Sequence, residues 1–273
     1  MSEPLNNQSK PKVSVVMPIF NMKTTIKETL DSLSHQRYGN MQIVIVDDGS
    51  TDGTLEIVDG YLGLPIEVIR QRHTGLPGAV RNVGLRNATG RFVQFLDADD
   101  LMDPDKISRQ VAILLDCPFP DSTVAYSDYR QFVDTPEGRR TYRQGPADGH
   151  HWPDDLVTQF AMYTVIHRFL FPRQVVMESG AFDESLSHAE DLDLWLRLLI
   201  LGIPFSYEAE PPVLYRQHRG HSVQDPEGER RSRLVVAKKV REYVRAAGCE
   251  DEHRMALATI LQQELGRSGR RME

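Results

Sequence analysis

Three aspartates, Asp97, Asp99 and Asp100, directly follow a short apolar segment. Residues 92–96 have the composition of a buried β-strand, so the three carboxylates stand where such a strand would surface. Like charges this close raise one another's pKa, which makes the cluster costly without a cation. Mg²⁺ and Mn²⁺ favour carboxylate oxygens, often together with substrate phosphates. The alternative is a polar turn in which Asp103 caps the following helix, and we expect both arrangements to hold.

Apolar runs and helical spacings alternate along the first hundred residues. Strands are predicted at 13–19, 41–46, 66–69 and 92–96, and helices at 24–36, from about 55, and at 79–87. This alternation predicts an α/β fold whose mostly parallel sheet is covered on both faces by helices. Ligands of such sheets bind beyond the carboxyl ends of the strands. Polar turns at 20–21, 47–50 and 97–100 follow three of these ends, so we expect one shared cleft.

Amino-acid composition, net charge and cysteine spacing limit the classes of protein to which this chain can belong. The 273 residues are 40% hydrophobic and 26% charged, which is ordinary for a soluble globular protein. A net charge of −7 argues against a nucleic-acid partner. The two cysteines, Cys117 and Cys249, lack zinc-ligand spacing and indicate unpaired thiols in a reducing compartment. Because neither a signal peptide nor a membrane span is apparent, we expect a cytoplasmic protein, with peripheral contact at the inner face of the membrane left open.

The usual glycine loops for a pyrophosphate are missing from this sequence. GxGxxG does not follow the first strand, and GxxxxGK[ST] does not occur. Acidic residues line the turns instead, and a diphosphate cannot approach them without a bridging cation. The sequence therefore indicates a metal-assisted nucleotide site.

Five segments, taken in order, carry a family resemblance. They are 13–21 (Val-Ser-Val-Val-Met-Pro-Ile-Phe-Asn), 43–52 (Ile-Val-Ile-Val-Asp-Asp-Gly-Ser-Thr-Asp), 81–84 (Arg-Asn-Val-Gly), 90–100 (ending Leu-Asp-Ala-Asp-Asp) and 190–197 (Glu-Asp-Leu-Asp-Leu-Trp-Leu-Arg). Together they resemble the inverting glycosyltransferases of family 2. The resemblance implies the GT-A fold, a Rossmann-like mixed sheet that is mostly parallel, with helices on both faces and further C-terminal helices.

The resemblance also implies a division of the chain. We expect a flexible N-terminus at 1–11, a nucleotide-sugar-binding half at 12–105, an acceptor-binding half of the same domain at 106–225, and a C-terminal helical extension at 226–273. The polar stretch 134–155 is predicted to be a loop lining the acceptor side. We expect the C-terminal helices to pack on the domain, with pairing to a second copy or a membrane surface as alternatives.

On the donor side, the resemblance places Pro18 and Phe20 in the wall of the nucleoside pocket, with Phe20 stacking near the base. Asp48 would read the base edge, and Arg81 would face the diphosphate. The alternatives are core packing for Phe20, a self-satisfied turn for Asp48, and a surface salt bridge for Arg81. His167 is interpreted as a satisfied interior histidine.

The metal, Mn²⁺ or Mg²⁺, is implied at the acidic cluster. The resemblance places Asp99 near the ribose and Asp100 on the metal, with Asp99 aiding in holding the metal and Asp97 supporting both. His218 would complete the metal shell or contact the diphosphate, with a loop histidine without a ligand as the alternative. Arg216 would stabilise the diphosphate.

The Glu190-Asp191 pair opens a predicted helix. Carboxylates in a first turn are stabilised by the helix dipole, which alone could explain the pair. In the family this motif supplies the catalytic base, and Asp191 is the predicted base with Glu190 as runner-up. An acceptor hydroxyl needs such a carboxylate within hydrogen-bond reach. Asp193 faces elsewhere on the helix and is the weaker candidate.

The implied activity is a metal-dependent hexosyl transfer from a nucleotide diphosphate sugar, first of all a UDP-sugar, to an acceptor hydroxyl with inversion. The acceptor would be a glycan, a lipid-linked glycan or a small molecule, in cell-surface glycan or polysaccharide biosynthesis. Two alternatives stay open, a nucleotidyltransferase and an inactive sugar-nucleotide-binding protein. A homodimer also stays open.

Overall fold

A computed structural model of the chain describes residues 10–144, 165–217 and 225–247. Its strands are β1 (Val13–Ile19), β2 (Met41–Asp47), β3 (Ile66–Arg70), β4 (Phe92–Phe95), β5 (Leu101–Met102), β6 (Val124–Thr135), β7 (Gly138–Gln144), β8 (Phe169–Pro172) and β9 (Phe205–Arg216). Its helices are α1 (Ile26–Ser34), α2 (Thr54–Asp59), α3 (Pro77–Asn87), α4 (Lys106–Asp116), α5 (Arg173–Glu178), α6 (Glu190–Ile200) and α7 (Pro226–Ala247). None of these helices combines the length and apolar character needed to cross a membrane.

The described strands form one mixed sheet in the order β3-β2-β1-β4-β8-β6-β9-β5, with β7 paired to β6. The first four strands are parallel, whereas β8 runs antiparallel to β4. The carboxyl ends of β1, β2 and β4 therefore meet at one edge of the sheet. The turns that follow these three strands carry the polar residues singled out in the sequence.

Successive side chains along each strand point to opposite faces of the sheet, so each face packs into its own apolar layer. Val16, Val44 and Phe95 pack with α3, α6 and α7 on one face. On the other face, Val15 and Ile43 pack with α1 and α4. Helices thus cover both faces, and the predicted α/β fold class is confirmed.

Helix α7 is the described part of the predicted C-terminal extension. It packs on α6 and contributes Val236 and Val240 to the first apolar layer. The Lys239 ammonium reaches back to the Asp183 and Asp193 carboxylates, at 2.7 and 2.6 Å. Residues 226–247 therefore pack on the domain.

The prediction that Asp103 caps a helix is wrong. Helix α4 begins at Lys106, and the Asp103 carboxylate accepts the backbone N–H of Asp105 at 3.0 Å. The short Asp side chain closes a turn on its own chain, a common alternative to capping. The helix starts only after this turn.

The prediction of a loop at 134–155 is wrong over its first part. Strand β6 continues to Thr135, and residues 138–144 return as β7 in antiparallel pairing with it. Arg139 in β7 pairs with Asp134 and Glu28, so charged side chains on this edge strand gave it the composition of a loop. Residues 145–155 lie outside the described ranges.

Candidate active site

A cavity of about 380 Å³ lies at the carboxyl edge of the parallel strands. The ends of β1 and β2, the loop before α3 and the turn after β4 all contribute to its wall. Its lining includes Pro18, Phe20, Asp48, His73, Arg81, Asp97 and Asp99. The structure thus brings together six residues that sequence reasoning assigned to one site, together with His73, which that reasoning missed.

An aromatic pair forms one wall of the cavity. The rings of Phe20 and His73 stack with their centroids 4.0 Å apart and an interplanar angle of 18°. Phe20 is 37% exposed, so it is not a core residue. The next residue, Asn21, has a φ of 54°, and its side chain accepts the backbone N–H of Thr51 at 2.9 Å. This tight turn holds the Phe20 ring at the rim of the cavity.

Asp48 holds the loop that carries His73. Its buried carboxylate accepts hydrogen bonds from the Gln71 side chain at 2.7 Å and from the backbone N–H groups of Thr74 and Gly75 at 3.0 Å. Burial would raise the pKa of Asp48, but these donors together lower it. Asp48 is therefore an anionic anchor for residues 71–75, and its predicted role in reading the base stays a prediction.

Two members of the acidic turn after β4, Asp97 and Asp99, lie in the cavity wall, and the third, Asp100, lies beneath it. Asp97 lines the cavity, whereas Asp100 is fully buried and is not among the lining residues. One Asp100 oxygen accepts the backbone N–H of Arg216 at 2.7 Å, and the other has no hydrogen-bond partner among the described residues. Burial and the neighbouring carboxylates of Asp99 and Asp97 raise the pKa of Asp100 well above its usual value. An unpartnered buried oxygen is unusual, and it suits a residue that binds a cation.

His167 lies against this unpartnered oxygen. Its Nδ1 atom is 3.1 Å from Asp100 Oδ2, the ring is fully buried, and neither ring nitrogen has a hydrogen-bond partner among the described residues. Burial lowers the pKa of His167 to about 3, so the ring is neutral and one of its nitrogens offers a lone pair. One donor atom each from Asp97, Asp100 and His167 lie within 4.8 Å of one another.

This ligand set fits the implied metal. Carboxylate oxygens suit Mg²⁺ and Mn²⁺, and imidazole suits Mn²⁺ better than Mg²⁺. The interior position predicted for His167 is observed, but the ring is not satisfied by protein partners. Strand pairing between β4 and β8 brings it to the acids from about seventy residues away, and no local motif signals this contact. His218, the predicted metal ligand, lies outside the described residues.

Arg81 joins the acidic turn to the Glu190-Asp191 pair. Its guanidinium contacts the Glu190 carboxylate on one side and Asp97 Oδ1, at 2.6 Å, on the other. The side chain is 7% exposed, so this is a buried bridge and not a surface salt bridge. Although burial opposes its charge, the Asp97 and Glu190 carboxylates raise the pKa of Arg81. Its predicted contact with a diphosphate stays a prediction.

Replacing Arg81 with methionine is expected to lower the free energy of unfolding by about 3–5 kcal/mol, because two carboxylates lose their shared buried partner. Urea unfolding at pH 7 measures the change. The matched control is Arg86→Met on the exposed side of the same helix, which should shift stability by less than about 0.5 kcal/mol. Equal effects of the two substitutions would contradict the bridge.

The Glu190-Asp191 pair begins α6 directly after Ala189, which has a φ of 58°. Glu190 is buried against Arg81, whereas Asp191 is partly exposed. Burial, followed by the Glu190 charge, raises the pKa of Asp191 to about 7, and Arg81 opposes the rise. A carboxylate with a pKa near the working pH is well matched to accepting a proton.

Asp193, two residues further along the helix, has a different environment. It is fully buried and pairs with Arg197 at 2.7 Å and with Lys239 at 2.6 Å. These two cations hold α6 against α7 and the segment before it. Asp193 therefore has a structural position, away from the Asp191 side chain.

Arg216 holds the acidic turn from the side of β9. Its backbone N–H donates to Asp100, and its Nε–H donates to the Asp99 carbonyl oxygen at 2.7 Å. The two terminal nitrogens of the guanidinium contact the Glu28 and Asp134 carboxylates. These contacts order the turn, and the predicted contact of Arg216 with a diphosphate stays a prediction.

Comparison with known protein sequences identifies the family of this chain. The family described as glycosyl transferase family 2 matches residues 14–179. The chain belongs to this family. It is 31% identical over 206 residues to an uncharacterized glycosyltransferase of Rickettsia typhi and 30% identical over 223 residues to the putative glycosyltransferase EpsH of Bacillus subtilis. These alignments cover 74% and 78% of the chain, and the chain spans 63% of the length of each relative.

Solved structures show the same fold as this family 2 chain. S. aureus TarS 1-349 in complex with UDP-GlcNAc superposes with a TM-score of 0.69 at 23% identity, covering 94% of this chain and 72% of that one. The mannosyltransferase PcManGT from Pyrobaculum calidifontis, in complex with GDP-Man and Mn²⁺, gives a TM-score of 0.59 at 18% identity, covering 98% and 78%. The predicted family and its GT-A fold are confirmed.

Proposed function

We propose that this protein transfers one sugar from a nucleotide diphosphate sugar to an acceptor hydroxyl, with inversion at the anomeric carbon. The observation that carries the proposal is the buried Arg81 bridge. It fixes the acidic turn and the Glu190-Asp191 pair on either side of one guanidinium, next to a nucleotide-sized cavity. A donor held at the acids would therefore lie near the carboxylate of Asp191.

The donor site is assigned from the cavity wall and the acids. Pro18 and Phe20 would hold the nucleoside. Asp97, Asp100 and His167 would hold the metal. Asp99, which also lines the cavity, lies next to the ribose in this assignment. When bound, Mn²⁺ or Mg²⁺ neutralises negative charge on the departing diphosphate.

Asp191 accepts the proton of the attacking acceptor hydroxyl. Its neighbour Glu190 is paired with Arg81, and the charge of Glu190 helps to raise the pKa of Asp191. Inversion requires a single displacement, and no enzyme nucleophile takes part. The cavity and the base together keep the reactants in line, which lowers the entropic part of the barrier.

The nature of the donor is supported by the structural neighbours. The solved structure of TarS 1-349 is a complex with UDP-GlcNAc, and that of PcManGT is a complex with GDP-Man and Mn²⁺. We take a UDP-sugar as the first candidate for this chain. The acceptor is a glycan, a lipid-linked glycan or a small molecule, and the reaction belongs to cytoplasmic steps of surface glycan or polysaccharide synthesis.

A donor panel tests the proposed function. The protein is incubated with UDP-, dTDP- and GDP-sugars and Mn²⁺, and release of the nucleoside diphosphate is followed. Release from one class of donor, faster with an added acceptor, is the expected result. Pyrophosphate formation from a nucleoside triphosphate and a sugar phosphate would instead show a nucleotidyltransferase. No turnover with either set, despite donor binding, would show an inactive binding protein.

The raised pKa of Asp191 predicts the pH dependence of transfer. Because the base must be deprotonated, kcat/KM should fall about tenfold per pH unit below pH 7 and level off above it. The profile is measured from pH 5.5 to 8.5 at saturating Mn²⁺, with metal occupancy checked at each pH. A flat profile over this range would contradict the assignment of the base.

A further inference from the structure

We propose that His73 determines which nucleobase the cavity accepts, by receiving a hydrogen bond from an imide N–H. Uracil and thymine carry such an N–H at N3 and guanine carries a comparable ring N–H at N1, whereas cytosine presents a lone pair at N3. The proposal rests on the proposed function, since it names the nucleotide class for the same cavity. Three observations support it: the position of the His73 ring, the tautomer of that ring, and the hydrogen bonds that Asp48 already accepts from the protein.

The His73 ring is placed where a base would arrive. It lines the cavity, its side chain is 48% exposed, and it stacks on Phe20 with 4.0 Å between ring centroids. Gly75, in the same loop, has a φ of 67° and also lines the cavity close to His73 Nε2. The loop thus presents the Nε2 edge of the ring together with bare backbone.

The hydrogen-bond network assigns the tautomer of His73. Its Nδ1 atom lies 2.9 Å from the carbonyl oxygen of Asp48 and 2.8 Å from the carboxylate oxygen Oδ2 of the same residue. Both oxygens only accept, so Nδ1 carries the proton. In the neutral ring Nε2 is then an acceptor, and it has no hydrogen-bond partner among the described residues. A free acceptor at a cavity wall selects ligands with a donor at that point.

The carboxylate oxygens of Asp48 are already occupied by hydrogen bonds from the protein. Besides the His73 ring, its two oxygens receive Gln71, Thr74 and Gly75. A carboxylate offers about four lone-pair sites, so little capacity remains for a base. Asp48 is therefore a positioning residue, and His73 is the group that meets the base.

This arrangement predicts discrimination between two pyrimidines of the same size. The uracil imide N–H would donate to Nε2, whereas cytosine would bring one lone pair against another. A site built to hydrogen-bond a donor rejects the analogue that lacks it, because its own polar atom is then left unpaired. UDP should therefore bind at least about tenfold more tightly than CDP.

The test is calorimetric titration of UDP and CDP, each with Mn²⁺, into wild-type protein and four variants. His73→Phe keeps a stacking ring and removes the lone pair, so the UDP/CDP preference should fall to near unity. His73→Asn keeps a donor toward Asp48 and an acceptor oxygen, and should retain part of the preference. Gln71→Ala loosens the loop without touching the ring, so both nucleotides should weaken together. The exposed His35→Asn is the unchanged control.

The outcomes distinguish failure of the proposed role of His73 from failure of the proposed transferase function. An unaltered UDP/CDP preference in His73→Phe overturns the role of His73 and leaves the transferase function standing. A loss of preference in Gln71→Ala as large as in His73→Phe also overturns it, because loop order and not the ring would then select the base. Failure of the wild-type protein to bind any nucleoside diphosphate with Mn²⁺ overturns the proposed function, and the role of His73 with it.

Discussion

Replacing Asp191 with asparagine should reduce kcat for sugar transfer by about 10²–10⁴-fold, the range typical for loss of a general base. The amide cannot accept the acceptor proton, whereas the cavity and the acids that hold the donor are untouched. Affinity for the donor, measured by titration without acceptor, should stay within about twofold because Asp191 is not part of the assigned donor site. Initial rates of nucleoside diphosphate release with saturating donor and acceptor measure the loss.

The control for Asp191→Asn is Asp121→Asn, the same chemical change at an exposed surface pair with Arg91. Its rate should match that of the wild-type protein. Near-normal transfer by Asp191→Asn would show that another group accepts the proton. Glu190→Gln tests the runner-up: it should lower stability by breaking the Arg81 bridge, while the folded fraction keeps more activity than Asp191→Asn retains.

Removing the metal should lower transfer by at least about 100-fold, since the metal supplies several kcal/mol of charge stabilisation at the departing diphosphate. EDTA followed by gel filtration gives the metal-free protein, and added Mn²⁺ should restore the rate. Full activity after removal, with metal content verified as absent, would contradict a metal-dependent reaction.

Variants locate the metal independently of activity. Mn²⁺ binding is followed by electron paramagnetic resonance in the protein without donor. His167→Phe and Asp100→Asn should each weaken binding by about 10- to 100-fold, the range measured when partners of a metal site are lost. The exposed Asp59→Asn is the control. Unchanged Mn²⁺ affinity in both site variants would place the metal elsewhere.

The first half of the fold was predictable because its elements follow simple periods. Apolar runs predicted β1, β2, β3 and β4, and their alternation with helices predicted the parallel pairing. The rule that ligands bind beyond strand ends then brought Phe20, Asp48 and Asp97 to one edge. These residues sit at the ends of regular elements, so local sequence was enough to place them.

The contacts that complete the site depend on long-range packing. Glu190 meets Arg81 across more than one hundred residues, and His167 reaches Asp100 only because β8 pairs with β4. His73 lies in a loop whose shape comes from hydrogen bonds to Asp48. Such partners are set by tertiary structure, and periodicity carries no information about them.

Asp47, the last residue of β2, and Asp48, which follows it, illustrate the same limit. Asp47 accepts the backbone N–H of Ser50 at 3.1 Å within its own turn, whereas Asp48 gathers donors from the loop before α3. Asp47 is the last residue of β2 and closes its own turn, whereas Asp48 follows the strand and contacts the loop before α3.

The most direct measurement of the central claim is a crystal structure with UDP and Mn²⁺, with data collected for the anomalous signal of manganese. The account predicts one anomalous peak within coordination distance of the Asp97, Asp100 and His167 donor atoms and of diphosphate oxygens. It also predicts the base against the Phe20–His73 pair and the Asp191 carboxylate facing the vacant acceptor side. A diphosphate bound away from the acidic turn, or a manganese peak without these ligands, would contradict it.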